Sequence, residues 1–212
     1  MPIHQGRGPR YGLLLHPAEP AAEIPSSGAI ATVLARLGLV GEGFTCGSER
    51  YLMPGPRLLE LITFLGCSPF VSLDPPAGTN PCKSLDQFCA VAIQGTGGTV
   101  VLRRAEGAPT PRCPACRSSA ADWETLAREA GTAAATSPWT CPRCGVTSRL
   151  AHLDWRQSAG FATTFVEIWG VHPGEAVPGD ELLASLASIT GCPWRWFYLT
   201  ASVSGPPFSH MA

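Results

Sequence analysis

Two short cysteine pairs are the part of this sequence best suited to chemistry: CPAC at residues 113–116 and CPRCG at residues 141–145. A Cys-x-x-Cys pair lets one tight turn direct two sulfurs at one point, and two such turns together supply the four ligands of a tetrahedral zinc site. Proline in the second position stiffens each turn, and Gly145 can adopt the positive φ that folds the backbone back beneath a metal. The predicted metal ligands are Cys113, Cys116, Cys141 and Cys144.

A closed shell of four thiolates indicates what kind of metal site this is. A catalytic zinc keeps one position open for water or substrate, whereas a four-cysteine site has no such position. We therefore predict a structural ion that fixes the backbone around it. Two alternatives stay open: redox-active or unligated thiols, although redox Cys-x-x-Cys motifs usually occur singly after a strand, and iron, which uses the same ligands in rubredoxin-like sites.

The quartet resembles the zinc-ribbon class over about residues 108–148, and CPRCG is the half that matches better. In the first pair Arg117 stands where the second pair has glycine. The resemblance implies a zinc-binding fold with Zn²⁺ as its cofactor, and it implies no activity. The sequence between the pairs predicts a helix that begins after Ser119, so this ribbon would be more elaborate than a simple one.

Three other places carry residues that could act in chemistry. The alternating HLDWR segment predicts a strand with His152 and Asp154 on one side, where they could serve as acid and base. His172 and Glu175 lie near a predicted bend and could hold a cation or contact a basic partner. Cys67, where an apolar segment meets a turn, is a candidate reactive thiol. The alternative, non-functional interpretations of these three places are, in the same order, the polar face of a strand, a solvated loop and a buried small side chain.

The remaining cysteines show no ligand spacing, and the roles of Cys46, Cys82 and Cys89 stay open. The amino-terminal segment has an apolar run of only three residues, 13–15, which is too short for the centre of a signal peptide. The sequence also has no run of 18 apolar residues, so we expect no membrane span. These features predict a cytoplasmic protein whose cysteines are thiols or metal ligands rather than disulfides.

The elements that must position these residues indicate an α+β fold, mainly an antiparallel sheet with few helices and an inserted zinc-ribbon module. Helices are predicted at residues 26–38 and 180–190, hairpins at 87–107 and 149–172, and a last strand at 193–203; residues 57–66 fit either a helix or a strand. The predicted organisation is an irregular arm at 1–25, one α+β domain from 26–107 and 149–212, and the module at 108–148.

Three classes of function are compatible with these observations. A closed metal site and the lack of a recognisable catalytic constellation favour a non-catalytic adaptor or accessory factor that binds another protein. The second class is an enzyme with a structural zinc and a site near His152 and Asp154 or near Cys67. The third is a nucleic-acid binder that uses the basic module, but the formal net charge of −1 gives it weak support.

Overall fold

The computed structural model describes residues 10–65 and 71–201, which form the α+β fold that the sequence predicts. The helices are α1 (Ser27–Leu37), α2 (Leu58–Leu61), α3 (Trp123–Ala130) and α4 (Asp180–Thr190). The strands are β1 (Arg10–Pro17), β2 (Val40–Cys46), β3 (Glu49–Pro54), β4 (Ile62–Phe64), β5 (Ala90–Gly95), β6 (Val101–Arg104), β7 (Pro138–Thr140), β8 (Thr147–Arg149), β9 (Ala159–Ala162), β10 (Thr164–Trp169), β11 (Ala176–Pro178) and β12 (Trp194–Ala201). Among the described residues, no helix has the length and apolar character needed to cross a lipid bilayer.

Strand β1 lies inside a six-stranded antiparallel sheet with the strand order β12-β1-β10-β5-β3-β2. The three leucines at residues 13–15 are fully buried, the middle one on one face of the sheet and the outer two on the other. The prediction of an irregular arm over residues 1–25 is therefore wrong for Arg10–Pro17. A continuous apolar run is the pattern of a strand that is covered on both faces, and a composition rich in proline and glycine concealed it.

Helices α1 and α4 begin and end close to where the sequence predicts. The Ser26 hydroxyl accepts a hydrogen bond from the Ala29 N–H at 3.3 Å, and α1 ends at Gly38, whose φ of 82° is left-handed. Helix α4 also ends at a left-handed glycine, Gly191. Asp180 is the first residue of α4 rather than its cap, and its carboxylate is favourable there because helix amino termini carry partial positive charge.

Both of these helices pack on one face of the six-stranded sheet and close the largest apolar core. Its fully buried members include Leu13, Leu15, Ile30, Leu34, Val166, Ile168, Leu182 and Leu186. Burial of each such side chain contributes about 1.5–3 kcal/mol to stability. The opposite face of the sheet buries a second, aromatic cluster that includes Phe88, Phe165, Trp169 and Phe197.

Neither hairpin predicted from the β-rich runs forms. Strand β5 pairs with β10 and β3, and β6 pairs with β9 in a separate two-stranded sheet. Residues 149–156 are not a strand as predicted, because Leu150–His152 form a turn of 3₁₀ helix. The chain leaves β6 at Arg104 and returns at Ala159, its partner in the register. The intervening residues 105–158, called the cysteine module below, therefore lie between two paired strands.

A buried ion pair joins β6 to β10 across the aromatic face of the large sheet. The Arg103 guanidinium donates to Glu167 at 2.7 Å, and their side chains are only 10% and 3% exposed. The other carboxylate oxygen accepts the indole N–H of Trp169 at 3.0 Å. Burial raises the pKa of Glu167, while Arg103 and Trp169 stabilise its ionised form and oppose that shift.

Cys46 and Cys82 form a disulfide between the end of β2 and a 3₁₀ turn at Pro81–Lys83. The expectation that all nine cysteines are thiols or metal ligands is therefore wrong for this pair. The disulfide ties the long loop before β5 to the β2–β3 hairpin. The two residues are 36 positions apart in the chain, and nothing in their local sequence shows that they meet.

Candidate metal centre

The four predicted ligands come together at one point. The Sγ atoms of Cys113, Cys116, Cys141 and Cys144 all lie within 4.8 Å of one another, and all four are free thiols. Cys113 Sγ is 3.8 Å from Cys144 Sγ, and Cys116 Sγ is 3.6 Å from Cys141 Sγ. Sulfurs bound tetrahedrally at about 2.3 Å from one ion lie about 3.8 Å apart. Both contacts join one pair to the other, so the arrangement is compatible with a single shared metal ion.

Two turns of matching backbone geometry present these sulfurs: the first knuckle, residues 113–118, and the second knuckle, residues 141–146. In each knuckle the first cysteine donates its N–H to the carbonyl five residues later, at 2.8 and 2.9 Å. Its own carbonyl accepts the N–H from four residues later, at 2.9 Å in both. The residues at that fourth position, Arg117 and Gly145, both have left-handed φ, at 61° and 71°. The arginine therefore follows the backbone path of the glycine.

We expect opposite stability changes when these two residues are exchanged for others. Arg117→Gly should raise the free energy of unfolding by about 0.5–1 kcal/mol, because a left-handed conformation costs non-glycine residues roughly 1 kcal/mol. Gly145→Ala should lower it by about 1 kcal/mol through backbone strain alone, since no atom lies within 4 Å of where the new Cβ would be. Urea unfolding of the metal-loaded proteins measures both changes.

Arg117→Ala is the control for that comparison, because it removes the side chain but keeps a non-glycine backbone. It should not be more stable than the wild-type protein. If Arg117→Gly and Arg117→Ala change stability equally, backbone strain at this position is not the cause.

The Arg117 side chain forms an ion pair with Asp154, one of the two residues predicted to act as acid and base. The guanidinium is 3.1 Å from the Asp154 carboxylate, and the backbones of Asp154 and Arg112 exchange two hydrogen bonds of 2.9 and 3.0 Å. His152 ends the 3₁₀ turn and Arg156 has a positive φ of 55°, so the predicted strand with a polar face is absent. Asp154 anchors the first knuckle rather than facing a histidine along a strand.

A compact core rich in aromatic side chains packs against the two knuckles. Cys113 and Cys141 are buried in it with Trp123, Trp139, Leu150, Leu153, Trp155 and Phe161. The indoles of Trp123 and Trp155 meet edge to face at 4.9 Å, and Trp139 donates its indole N–H to Asp122 at 2.8 Å. The predicted helix between the pairs begins at Trp123, later than the expected start after Ser119. The core joins both knuckles to the 3₁₀ turn at Leu150–His152 and to β9.

The Ser118 hydroxyl gives the sulfurs unequal protonation preferences. Its oxygen is 3.1 Å from Cys141 Sγ and 3.2 Å from Cys116 Sγ, and this contact lowers the pKa of both thiols, that of Cys141 to about 6. The pKa of Cys144 is raised to about 12: the Val146 amide lowers it, but desolvation and hydrogen bonds to the neighbouring sulfurs outweigh that amide. Four sulfurs this close can all be ionised only around a cation, which would displace the remaining protons.

The other candidate residues do not join a comparable cluster. His172 packs against Tyr11 with the ring centroids 4.3 Å apart, and its backbone N–H donates to the Glu175 carboxylate at 3.2 Å. Within residues 10–65 and 71–201, the cysteine quartet is the only group of three or more His, Cys, Asp or Glu side chains close enough together to hold a metal ion. Cys67 lies outside the described residues. Cys89 is a buried thiol whose pKa is raised by burial to about 12, which makes it a poor nucleophile.

Sequence reasoning missed Ser118, although a signal for it exists. The residue directly follows the left-handed position of the first knuckle, and the corresponding residue of the second knuckle is Val146. An alignment of the two knuckles shows this difference, a hydroxyl in the first and an isopropyl group in the second.

In comparisons of the chain with protein-family models, curated proteins and solved structures, no match was found.

Proposed function

We propose that the protein is a non-catalytic zinc-binding adaptor or accessory factor, built as an elaborated zinc ribbon on an α+β domain. The observation that carries the proposal is the sulfur cluster, with contacts of 3.6 and 3.8 Å between knuckles. Four thiolates fill a tetrahedral shell and leave no position for water, so the ion shapes the backbone. We favour zinc over iron because a closed four-cysteine shell is a common form of structural zinc site.

The second knuckle is the surface that we propose for contact with another protein. Pro142, Arg143 and Val146 are exposed there at the end of the short β7–β8 hairpin, and Val146 is an exposed large apolar residue. A metal-fixed turn loses little conformational freedom on binding, which favours affinity. The surface combines one cation with apolar groups, so it suits a partner that offers an apolar pocket beside a carboxylate.

The contacts of the module weigh against the two alternatives. Asp154, the proposed acid or base of an enzyme, already pairs with Arg117. Arg149, one of the cations available to a nucleic-acid surface, lies 3.4 Å from the carboxylate of Glu19. Each of these pairings reduces the charge that a substrate or a phosphate backbone would meet, and we therefore place protein binding first.

A crosslinking experiment tests the proposed contact. With p-benzoylphenylalanine in place of Val146, we expect ultraviolet light to join the protein to one partner in an extract of its source cells. The double variant Arg143→Glu/Val146→Asp should lose the same partner in an affinity pull-down. The matched control Arg36→Glu/Leu59→Asp also changes one arginine and one aliphatic residue, at exposed positions of α1 and α2, and should retain the partner. Equal recovery by both double variants contradicts the contact.

We also propose that the protein works in the cytoplasm, because thiols suited to zinc persist where cellular reductants act. The Cys46–Cys82 disulfide is of the kind found in oxidising compartments. Thiol alkylation in acid-quenched cells, followed by mass spectrometry, measures whether the Cys46–Cys82 pair is reduced, as expected in the cytoplasm, or oxidised, as expected in an oxidising compartment. A reduced pair in cells supports the cytoplasmic proposal, and a fully oxidised pair contradicts it.

A further inference from the structure

Ser118 places its hydroxyl between two sulfurs that belong to different knuckles. The oxygen lies 3.2 Å from Cys116 Sγ and 3.1 Å from Cys141 Sγ. We propose that Ser118 is a hydrogen-bond donor to the metal-bound thiolates and tunes how tightly the quartet holds its ion. This inference rests on the metal binding that the proposed function assumes, and it assigns a specific side chain outside the four ligands.

The direction of the hydrogen bond follows from the chemistry of a loaded site. Metal-bound cysteines are thiolates and have no proton to donate, whereas a serine hydroxyl has one donor hydrogen. Ser118 must therefore donate, to one of the two sulfurs at a time or shared between them. Four thiolates around a divalent ion leave a net charge of −2, and a hydrogen bond to an ionised acceptor is roughly twice as strong as a neutral one.

The backbone of the first knuckle holds this hydroxyl in position. The Ser118 carbonyl accepts the Cys113 N–H at 2.8 Å, so the residue is bonded to the knuckle that it completes. Arg117, immediately before it, has the left-handed φ that turns the chain back towards the sulfurs. The side chain is partly buried, which limits competition from water for the same hydrogen bond.

The second knuckle offers an internal comparison. Val146 holds the position that corresponds to Ser118, five residues after the first cysteine, and its carbonyl accepts the Cys141 N–H at 2.9 Å. The two knuckles therefore have the same backbone conformation, and only the first carries a hydroxyl at this position. Ser118→Val makes the first knuckle match the second in side-chain type, while Val146→Ala changes the second without touching a hydroxyl.

Metal affinity of the full chain tests the proposal. We expect Ser118→Val and Ser118→Ala to bind Zn²⁺ about 10–100-fold more weakly in competition with a chromophoric chelator, the usual effect of losing an outer hydrogen bond to a metal ligand. Ser118→Thr, which keeps the hydroxyl, should restore most of the affinity. Val146→Ala should stay within about 3-fold of the wild-type protein, well below the change expected for a lost outer hydrogen bond.

Cobalt supplies a readout that a purely structural role would not change. In the Co²⁺-loaded proteins, loss of the hydrogen bond should shift the sulfur-to-cobalt charge-transfer bands in Ser118→Val and leave them unchanged in Ser118→Thr and Val146→Ala. Equal affinity and equal bands in wild-type and Ser118→Val proteins overturn the role of Ser118 while metal binding stands. A wild-type protein that binds neither Zn²⁺ nor Co²⁺ instead overturns the proposed function itself.

Discussion

Chelation of the ion from the cysteine quartet is expected to unfold the cysteine module while the six-stranded sheet stays folded. The β7–β8 hairpin has only three residues in each strand, and an isolated two-stranded hairpin is marginal in water. Ion binding contributes on the order of 10 kcal/mol to the folding of small zinc modules at neutral pH. Cys141→Ser should act like chelation, because it removes one of four thiolate ligands.

Hydrogen exchange followed by mass spectrometry measures this effect region by region. Amides of residues 138–149 should lose their protection, and those of β1 and β10 should keep it. Cys192→Ser is the matched control, because Cys192 is a partly buried free thiol outside the quartet. Protection at residues 138–149 that survives both chelation and Cys141→Ser would show that the module does not depend on an ion.

Removal of the Glu167 carboxylate is expected to lower the free energy of unfolding by about 3–5 kcal/mol. Glu167→Ala takes the carboxylate away from a guanidinium that is only 10% exposed, and it also removes the acceptor of the Trp169 indole N–H. A buried charge that loses a close counter-ion is no longer compensated for much of its desolvation cost. Urea unfolding of the metal-loaded protein, with and without the substitution, gives the value.

Two companion variants separate the charge from the packing. Glu167→Gln keeps an oxygen for Trp169 and should lose less than Glu167→Ala. The double variant Glu167→Leu/Arg103→Met removes both charges and fills a similar volume, so it should stay within about 2 kcal/mol of the wild-type protein, because apolar replacement of a buried pair is often neutral. A double variant as unstable as Glu167→Ala would assign the effect to shape rather than to charge.

Helix ends were predictable because their chemistry is local. Ser26, Gly38 and Gly191 each act within one turn of the helix that they start or stop, so a short window of sequence contains the whole signal. Residues 57–66 fitted both a helix and a strand, and the structure has one after the other, α2 and then β4. Strand existence was also readable, as the last strand, β12, shows.

Strand partners were not predictable, because pairing joins residues that are far apart in the chain. The glycines between β5 and β6 indicated a hairpin, yet β5 pairs with β10, which comes after the whole cysteine module. The alternating pattern of residues 149–156 indicated a strand, but Leu150, Leu153 and Trp155 are instead buried in the core of the module. Positive φ at Arg156 and Gln157 then ends any extended run.

In the candidate metal centre, too, local features were predictable from the sequence and long-range contacts were not. The clustering of the four cysteines was predictable from their spacing, because each knuckle is a local turn. The pairing of Arg117 with Asp154 and the contact of Ser118 with Cys141 join separate segments, and no pattern within either segment specifies them. The disulfide between Cys46 and Cys82 is a long-range contact of the same kind.

The pairing of Arg104 with Ala159 has a consequence for how such a chain can change over time. The excursion that carries the four cysteines starts and finishes at adjacent points, so a short connecting turn could replace it without reordering any strand of the large sheet. Removal of the whole excursion would keep the order of those strands, but Phe161 of β9 would lose the aromatic core that it shares with the cysteine pairs. A chain with the excursion and a chain without it could therefore share one scaffold, since the loop-closure entropy of an insertion grows only slowly with its length.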